Sequence, residues 1–550
     1  MVTFAFGRAA RALSAAVLAA GLAGCAQIDA PATVDDTATP VHGGHLTWGV
    51  TTEPTCFDPR RTTQTNGYML ERNYIDSLVS KEPDGGFGPW LAKSWTVSAD
   101  GTVYTFRLRD DVAFTDGTKF DAAAVKANLD DVVAPKNAEN SATYLQSYAG
   151  ASVVSPDTVR VRLKHPDSSF LESLSSVQLG MLSPKSLKLG DALCGGGKSL
   201  SGTGPFEFGS YQRGQSVTLV RNPDYDWAPT WAQHQGPAYL DSVTIRFLPE
   251  DVVRSGALSS GQVDVIEGVQ STDVSAFKGQ PGFQFLDGPS SNTAFTLNLN
   301  YTRGVLKDIR VRRAIRDGFD LDTAVKSLYL GHYDRAWSNI GPDDAESDKE
   351  LVGAWGDDVA KANAELDAAG WTGRDSDGYR TKDGKRLRVE VGYPEDYVRD
   401  HRDVLIQGIQ AELKKNVGID LDLKIITIGE FTSQETNGTW SIYPNTMNPG
   451  DTALMETQLI GPTGFLYQAI KKGNDQTLYS WMARSLQTKD RAERERLVDQ
   501  IQQRAVDRAY IVPLYAPTSQ LAATTLVHGL GFDPNLDTPA SAYDFWKERS

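Results

Sequence analysis

Few residues in this 550-residue chain stand at spacings that make or break bonds, and each such grouping is incomplete. Gly197-Lys198-Ser199 has the tail of a phosphate-cradling loop, but the leading glycine of that pattern is Ala192 here. Ser275 with Lys278, and Ser290-Ser291-Asn292, have the residue types of an acyl-transfer serine site, yet no Lys-Thr-Gly follows and the spacing is wrong. The run from Asp375 to Lys385 has some of the carboxylates of a calcium loop, with Tyr379 where an oxygen ligand is required; its Asp377-Gly378 and Asp383-Gly384 pairs predict a hairpin instead. The 7 histidines are dispersed and no Cys-x-x-Cys occurs, so no metal site is expected. No Gly-x-Ser-x-Gly is present, and a nucleophile needs a base beside it. The expectation is a protein without enzymatic activity or cofactor, with an extracytoplasmic hydrolase as the alternative from another class.

Composition narrows the partners. The 55 basic and 70 acidic side chains leave a formal charge of −15, which disfavours nucleic acid and anionic lipid as binding surfaces. At 40% hydrophobic and 23% charged residues the composition is that of a folded globular protein, long enough for several domains. The N-terminus reads as a targeting segment. Arg8 and Arg11 precede a short apolar run, Ala12 to Ala20, too short to span a bilayer. Leu22-Ala23-Gly24-Cys25 follows and resembles a bacterial lipobox, with cleavage before Cys25 and lipid on its thiol. Residues 1–24 are thus a lipoprotein signal peptide and 25–43 an Ala/Thr/Asp/Pro-rich tether. Cys56 and Cys194 remain; in an exported protein such a pair is a candidate disulfide, and their wide separation leaves the bonding open.

The elements that would position a site are clearest from Pro89 to Leu129. Trp95 and Val97 form one short alternating run; Val103 and Thr105, with Tyr104, Phe106 and Leu108 on the other face, form a second. Asp100-Gly101 between them is a hairpin signal, Asp116-Gly117 a second turn, and Asp121 an N-cap for a helix over 122–129. In order, Pro89, Leu91-Ala92, Ser94-Trp95, Asp100-Gly101, Tyr104, Phe106, Leu108-Arg109, Phe114, Asp116-Gly117, Ala122-Ala123 and Val125 resemble the signature of the family 5 extracellular solute-binding proteins, receptors of peptide, nickel and related importers of the ATP-binding-cassette type. Further stretches resemble that family: Gly202-Thr203-Gly204-Pro205-Phe206, Arg221-Asn222-Pro223-Asp224-Tyr225, Val263-Asp264-Val265, and Asp308 to Ile315 with Asp320 following.

The resemblance implies an α/β, periplasmic-binding-protein-like fold of the class II, cluster C type: two lobes with a hinge plus an inserted extra lobe. Lobe I would comprise 44–68, 203–289 and 512–550, the inserted lobe 69–202, and lobe II 290–511, with crossovers near 286–293 and 511–516. It further implies a monomer on the outer face of the cytoplasmic membrane, held there through lipidated Cys25 and serving membrane permease subunits. The implied ligand is a small solute, an oligopeptide or peptide-like compound first. Peptide-binding relatives carry Trp-x-x-Asp-Tyr-x-Asp-Pro, whose Asp meets the peptide's α-ammonium group. Here the segment reads Trp440-Ser441-Ile442-Tyr443-Pro444-Asn445-Thr446-Met447-Asn448-Pro449-Gly450-Asp451, so Pro and Asn replace the acids and only Asp451, shifted, survives. Asn445 and Asn448 instead suit neutral hydrogen bonds to an opine, a sugar or a metal chelate such as a metallophore. Trp337, Trp440 and Tyr443 are candidate stacking surfaces. Glu53 and Thr55, after the first strand, and Asn300, at the end of the 295–300 strand, complete the expected cleft set.

Overall fold

The computed structural model describes residues 38–62, 64–134, 141–291, 293–446, 475–535 and 537–549. Two mixed sheets form its frame. The first has seven strands in the order Phe283–Asp287, Gln520–Thr524, Val265–Glu267, His45–Val50, Ser242–Phe247, Ser216–Arg221 and Phe206–Gln212. His45–Val50 is parallel to both of its neighbours, and Leu46, Trp48 and Val50, which share one face of the strand, are buried. The second sheet has six strands: Asp334–Arg335, Ile511–Ala516, Phe295–Leu299, Ile442–Asn445, Arg388–Pro394 and Asp420–Ile426. Every residue of Phe295–Leu299 is buried.

A four-stranded antiparallel sheet forms the inserted lobe, in the order Ala92–Val97, Val103–Leu108, Thr158–Leu163, Tyr148–Ser155. Its local chemistry follows the sequence reading. Gly101 takes a φ of 72° in the hairpin turn, a value that favours glycine. Tyr104, Phe106 and Leu108 point into the core while Val97 stays exposed. Asp121 accepts the Ala124 N–H at 2.9 Å and caps a helix over Ala122–Val132. Leu70, Tyr74 and Leu78 have helical spacing in the stretch from Gly67 to Leu78, but the helix spans only Thr65–Glu71. Beyond it, the Asn73 and Tyr74 carbonyls accept the Phe206 and Gly204 N–H groups, so the returning chain takes bonds that a longer helix would have used.

Apolar packing divides the molecule unevenly. One contiguous core runs from the first sheet through the inserted lobe, from Leu46 and Trp48 to Phe106, Val161 and Leu182. The second sheet packs against separate cores, one with Ile315, Leu366 and Leu413 and another with Trp440, Met482 and Ile501. Cys56 and Cys194 are disulfide-bonded with Cα atoms 4.0 Å apart, closing a loop of 138 residues around the inserted lobe. Chain passes between the two large sheets twice, from Asp287 to Phe295 and from Ala516 to Gln520. The second passage corrects the expectation that Ile511–Ala516 re-enters lobe I. That strand pairs with Phe295–Leu299 in the second sheet, Leu297 opposite Val512, and the chain crosses only at 517–519.

Candidate functional site

Strand direction decides which residues face the gap between the lobes. Phe295–Leu299 leaves the first crossover, so Phe295 marks the near end of the second sheet and Leu299 the far end. Ile442–Asn445 runs against it, with Asn445 opposite Thr296 and Ile442 opposite Leu299. Asn445 therefore lies at the crossover end, and Trp440 at the remote one. In the first sheet, His45–Val50 runs the same way as Phe283–Asp287, which ends at that crossover. The segment after Val50, with Glu53 and Thr55, accordingly emerges on the interlobe side.

The expected residues separate along this axis. Asn300 follows its strand at the end remote from the crossover, since the strand's first residue stands at the crossover and its last about 13 Å away. Asn300 is 2% exposed; its amide donates to the Trp440 carbonyl at 3.0 Å and its Oδ1 accepts the Thr302 hydroxyl at 2.7 Å. It is a turn-forming side chain with its polar atoms satisfied. Trp440, 4% exposed, packs in the core with Phe431, Met482 and Ile501, so it offers no open stacking face. Tyr443 is buried with its ring stacked on Phe431 at 4.1 Å, and burial pushes its phenol well above the usual range.

Asn445, partly buried at the crossover end, accepts the Asn298 side-chain N–H at 2.7 Å, while the next residue, Thr446, donates to the Thr293 carbonyl at 2.8 Å. Trp337 is half-buried near the crossovers: Asp334 pairs with Ala516, and Ile340 bridges to Thr293. One face of its ring is taken by the Arg335 guanidinium, 3.7 Å from the ring centre. Glu53 accepts the Gly214 N–H at 3.0 Å and the Tyr211 hydroxyl, and burial together with that carboxylate pushes Tyr211 up to about 12. The exposed Thr55 donates its N–H to Gln64 at 2.9 Å. Asn448, Asp451 and Cys25 lie outside the described residues.

Sequence reading missed a cavity of about 1000 Å³ where all three lobes meet. Its walls include Phe87 and Tyr104 of the inserted lobe, Ser291 of the first crossover, Phe532 near the C-terminus, and Asp344 and Arg494 of the second lobe. Asp537 also lines it; burial raises its carboxyl to about 7 against the lowering effect of hydrogen bonds from Ser291, with Asp533 and Asp344 adding to the rise. The crossover is itself held from the second lobe, as the Ser290 N–H donates to Asp343 at 2.9 Å. These side chains come from segments far apart in sequence and form no motif. A space of this size, with aromatic faces and charged groups of both signs, suits enclosing a polar solute. Among the described residues, no group of three or more His, Cys, Asp or Glu is placed to hold a metal ion.

Comparison with known proteins agrees with this architecture. The family model described as bacterial extracellular solute-binding proteins, family 5 middle, matches residues 86–458. Among curated relatives, the glutathione-binding protein GsiB of Escherichia coli (strain K12) is 28% identical over 318 residues, which cover 58% of this chain and 60% of the relative. The chain thus matches about three-fifths of that relative's length. Among solved structures, NikA from Brucella suis in complex with Fe(III)-EDTA superposes with a TM-score of 0.79 and 27% identity, covering 92% of this chain and 100% of that one. DppA from Helicobacter pylori in complex with peptide STSA gives a TM-score of 0.75 over 92% of this chain and 99% of its own, at 22% identity, a likeness of fold.

Proposed function

Because the chain belongs to the family 5 bacterial extracellular solute-binding proteins, we propose that it is the receptor of an ATP-binding-cassette importer, capturing a small solute between its lobes and delivering it to membrane permease subunits. One observation carries the reading: the two large sheets have separate apolar cores, the chain passes between them twice, and a cavity of about 1000 Å³ opens at the junction. Contacts to both lobes exist only when the lobes approach, so a solute shifts the population to the closed form by the free energy of those contacts. No covalent step is required of any residue. Members of this family are extracytoplasmic; anchoring through lipid on Cys25, and a monomeric state, complete the reading.

The solute class that fits first is an oligopeptide or peptide-like compound. GsiB is named for glutathione and DppA is described with a peptide, and the cavity is large enough for several residues. A second reading, favoured by the absence of any acid between Trp440 and Gly450, where peptide-binding relatives carry one, is a non-peptide solute such as an opine, a sugar or a metal chelate, held by neutral hydrogen bonds. NikA, described with Fe(III)-EDTA, has the same fold. Native mass spectrometry of the protein purified from its own host tests both. A retained small molecule is the expected result, and fragmentation distinguishes an amide-linked compound from the others. Protein that is invariably empty, with solute uptake unchanged when the gene is deleted, would refute the receptor reading.

A further inference from the structure

The inserted lobe is fused to the first lobe by a shared core, but among the described residues it also hydrogen-bonds to the second lobe at one corner. The helix Gln476–Gln487 ends there and the helix Arg491–Asp507 begins. The second of these spans 17 residues, about 25 Å. Its far end leads into Ile511–Ala516, which runs back to the crossover. The corner between the helices therefore sits on the interlobe side. The last carbonyls of a helix have no partner within it. Here two of them find partners across the gap: the Ser168 N–H donates to the Leu486 carbonyl at 2.8 Å, and the Ser168 hydroxyl donates to the Ser485 carbonyl at 3.2 Å. In the other direction, Lys489 Nζ donates to the Ala99 carbonyl at 2.5 Å.

Both sides of this contact are prepared by their own lobes. Asp167 holds the Ser168 loop by accepting the Ser169 N–H at 3.0 Å and the Ser169 hydroxyl at 2.7 Å. The Ala99 turn has glycine at 101, where any side chain would collide with Lys489 Cε. Across the corner, Thr488 closes its helix by donating its N–H to Arg484 at 2.9 Å, and Asp490 caps the next helix by accepting the Ala492 N–H at 3.0 Å. Among the described residues, the buried apolar clusters of the two sides are separate. The bonds are half-exposed, so water replaces them at small cost when the sides part.

We propose that the inserted lobe carries a clasp on the second lobe: the Ser168 loop and the Ala99–Gly101 turn grip the Ser485–Lys489 corner, and the solute cleft opens only when they let go. Such a contact lies off the line of the two crossovers and so resists hinge opening, which the crossovers alone do not. The clasp sets how often an empty receptor stands open and how slowly a filled one releases its cargo. This inference rests on the receptor reading above.

The test uses the full chain with spin labels on genetically encoded amino acids at the exposed positions Arg213 in the first lobe and Lys385 in the second. Pulsed electron resonance then gives the interlobe distance distribution without added solute, for the parent and for a Lys489→Ala, Ser168→Ala double variant. Both residues also line the cavity, so the distances are read without solute, and circular dichroism checks that the fold is retained. The expected result is that the long-distance population rises about tenfold relative to the short one in the double variant. A parent that shows both distances and a double variant with the same proportions would overturn the clasp while leaving the receptor reading intact. A single unchanging distance in both proteins overturns the clasp together with the hinge on which it rests.

Discussion

The inserted lobe has two neighbours and joins them by different physics. Toward the first lobe, the interface is a dry core continuous with Trp48 and Phe106, stitched by the Cys56–Cys194 bond and by buried polar pins. Asp76 is fully buried there and accepts the Trp227 indole N–H at 3.0 Å; Asn535 reaches in from the C-terminal segment to donate to Glu172 at 2.6 Å and Ser175 at 2.9 Å. Toward the second lobe, contact is made through half-exposed hydrogen bonds to backbone carbonyls. The first junction cannot open without exposing apolar surface, whereas the second loses little by opening. The inserted and first lobes are therefore built as one body, and the proposed closure would move that body against the second lobe although the inserted lobe touches both.

This contrast can be broken most forcefully at the disulfide. Replacing Cys56 and Cys194 by serine releases a 138-residue loop, worth about 5 kcal/mol in the chain-entropy account. Denaturant unfolding followed by a probe in each lobe should show the first-lobe transition moving sharply and the second-lobe transition barely shifting. Equal movement of both would mean that the two cores are one cooperative unit. Next in size is Asp76. Burial raises its carboxyl to about 7, so the folded state holds this proton above the pH at which the unfolded chain releases it. The stability it contributes is full below about pH 4 and is lost as pH rises through about 7, by at most about 4 kcal/mol. Asp76→Asn should reduce the fall of melting temperature with pH between about 4 and 7; parallel curves for parent and variant would assign the pH dependence elsewhere.

Asn535→Ala removes two hydrogen bonds at a buried site and should weaken the same junction by about 1–3 kcal/mol. Hydrogen exchange would show increased opening around Phe170–Ser175 and none around the second sheet. The smallest expected effect compares the two ends of one strand. Asn445→Ala, at the crossover end, should weaken retention of the natural solute about fivefold as read by mass spectrometry. Trp440→Phe, at the remote end, should leave retention unchanged while lowering the stability of the second lobe. Loss of solute in the Trp440 variant alone would restore it as a contact residue.

The sequence was most informative where structure is local. The Asp100-Gly101 hairpin, the Asp121 cap and the alternation through Leu108 depend on near neighbours, and they appear as the residues imply. It was less informative about the cleft, because the distance of a residue from a crossover depends on which way its strand runs. Asn300 and Trp440 have suitable side chains but stand at the remote end of Phe295–Leu299 and Ile442–Asn445. Trp337 looked like an open stacking face, and its own neighbour Arg335 takes one side of its ring. Whether Cys56 and Cys194 pair was open in sequence, since the answer lies in a Cα separation of 4.0 Å brought about by distant segments. Ser168 and Lys489 carry no signature because their partners are main-chain carbonyls, which any residue supplies.

The central claim is that one body closes on another around a solute, and small-angle X-ray scattering reads it directly. Protein stripped of its solute by unfolding and refolding is compared with the same protein after the solute is returned. The account predicts a larger radius of gyration for the stripped protein, reversed on re-addition. Superimposable scattering curves from demonstrably empty and filled protein would contradict it.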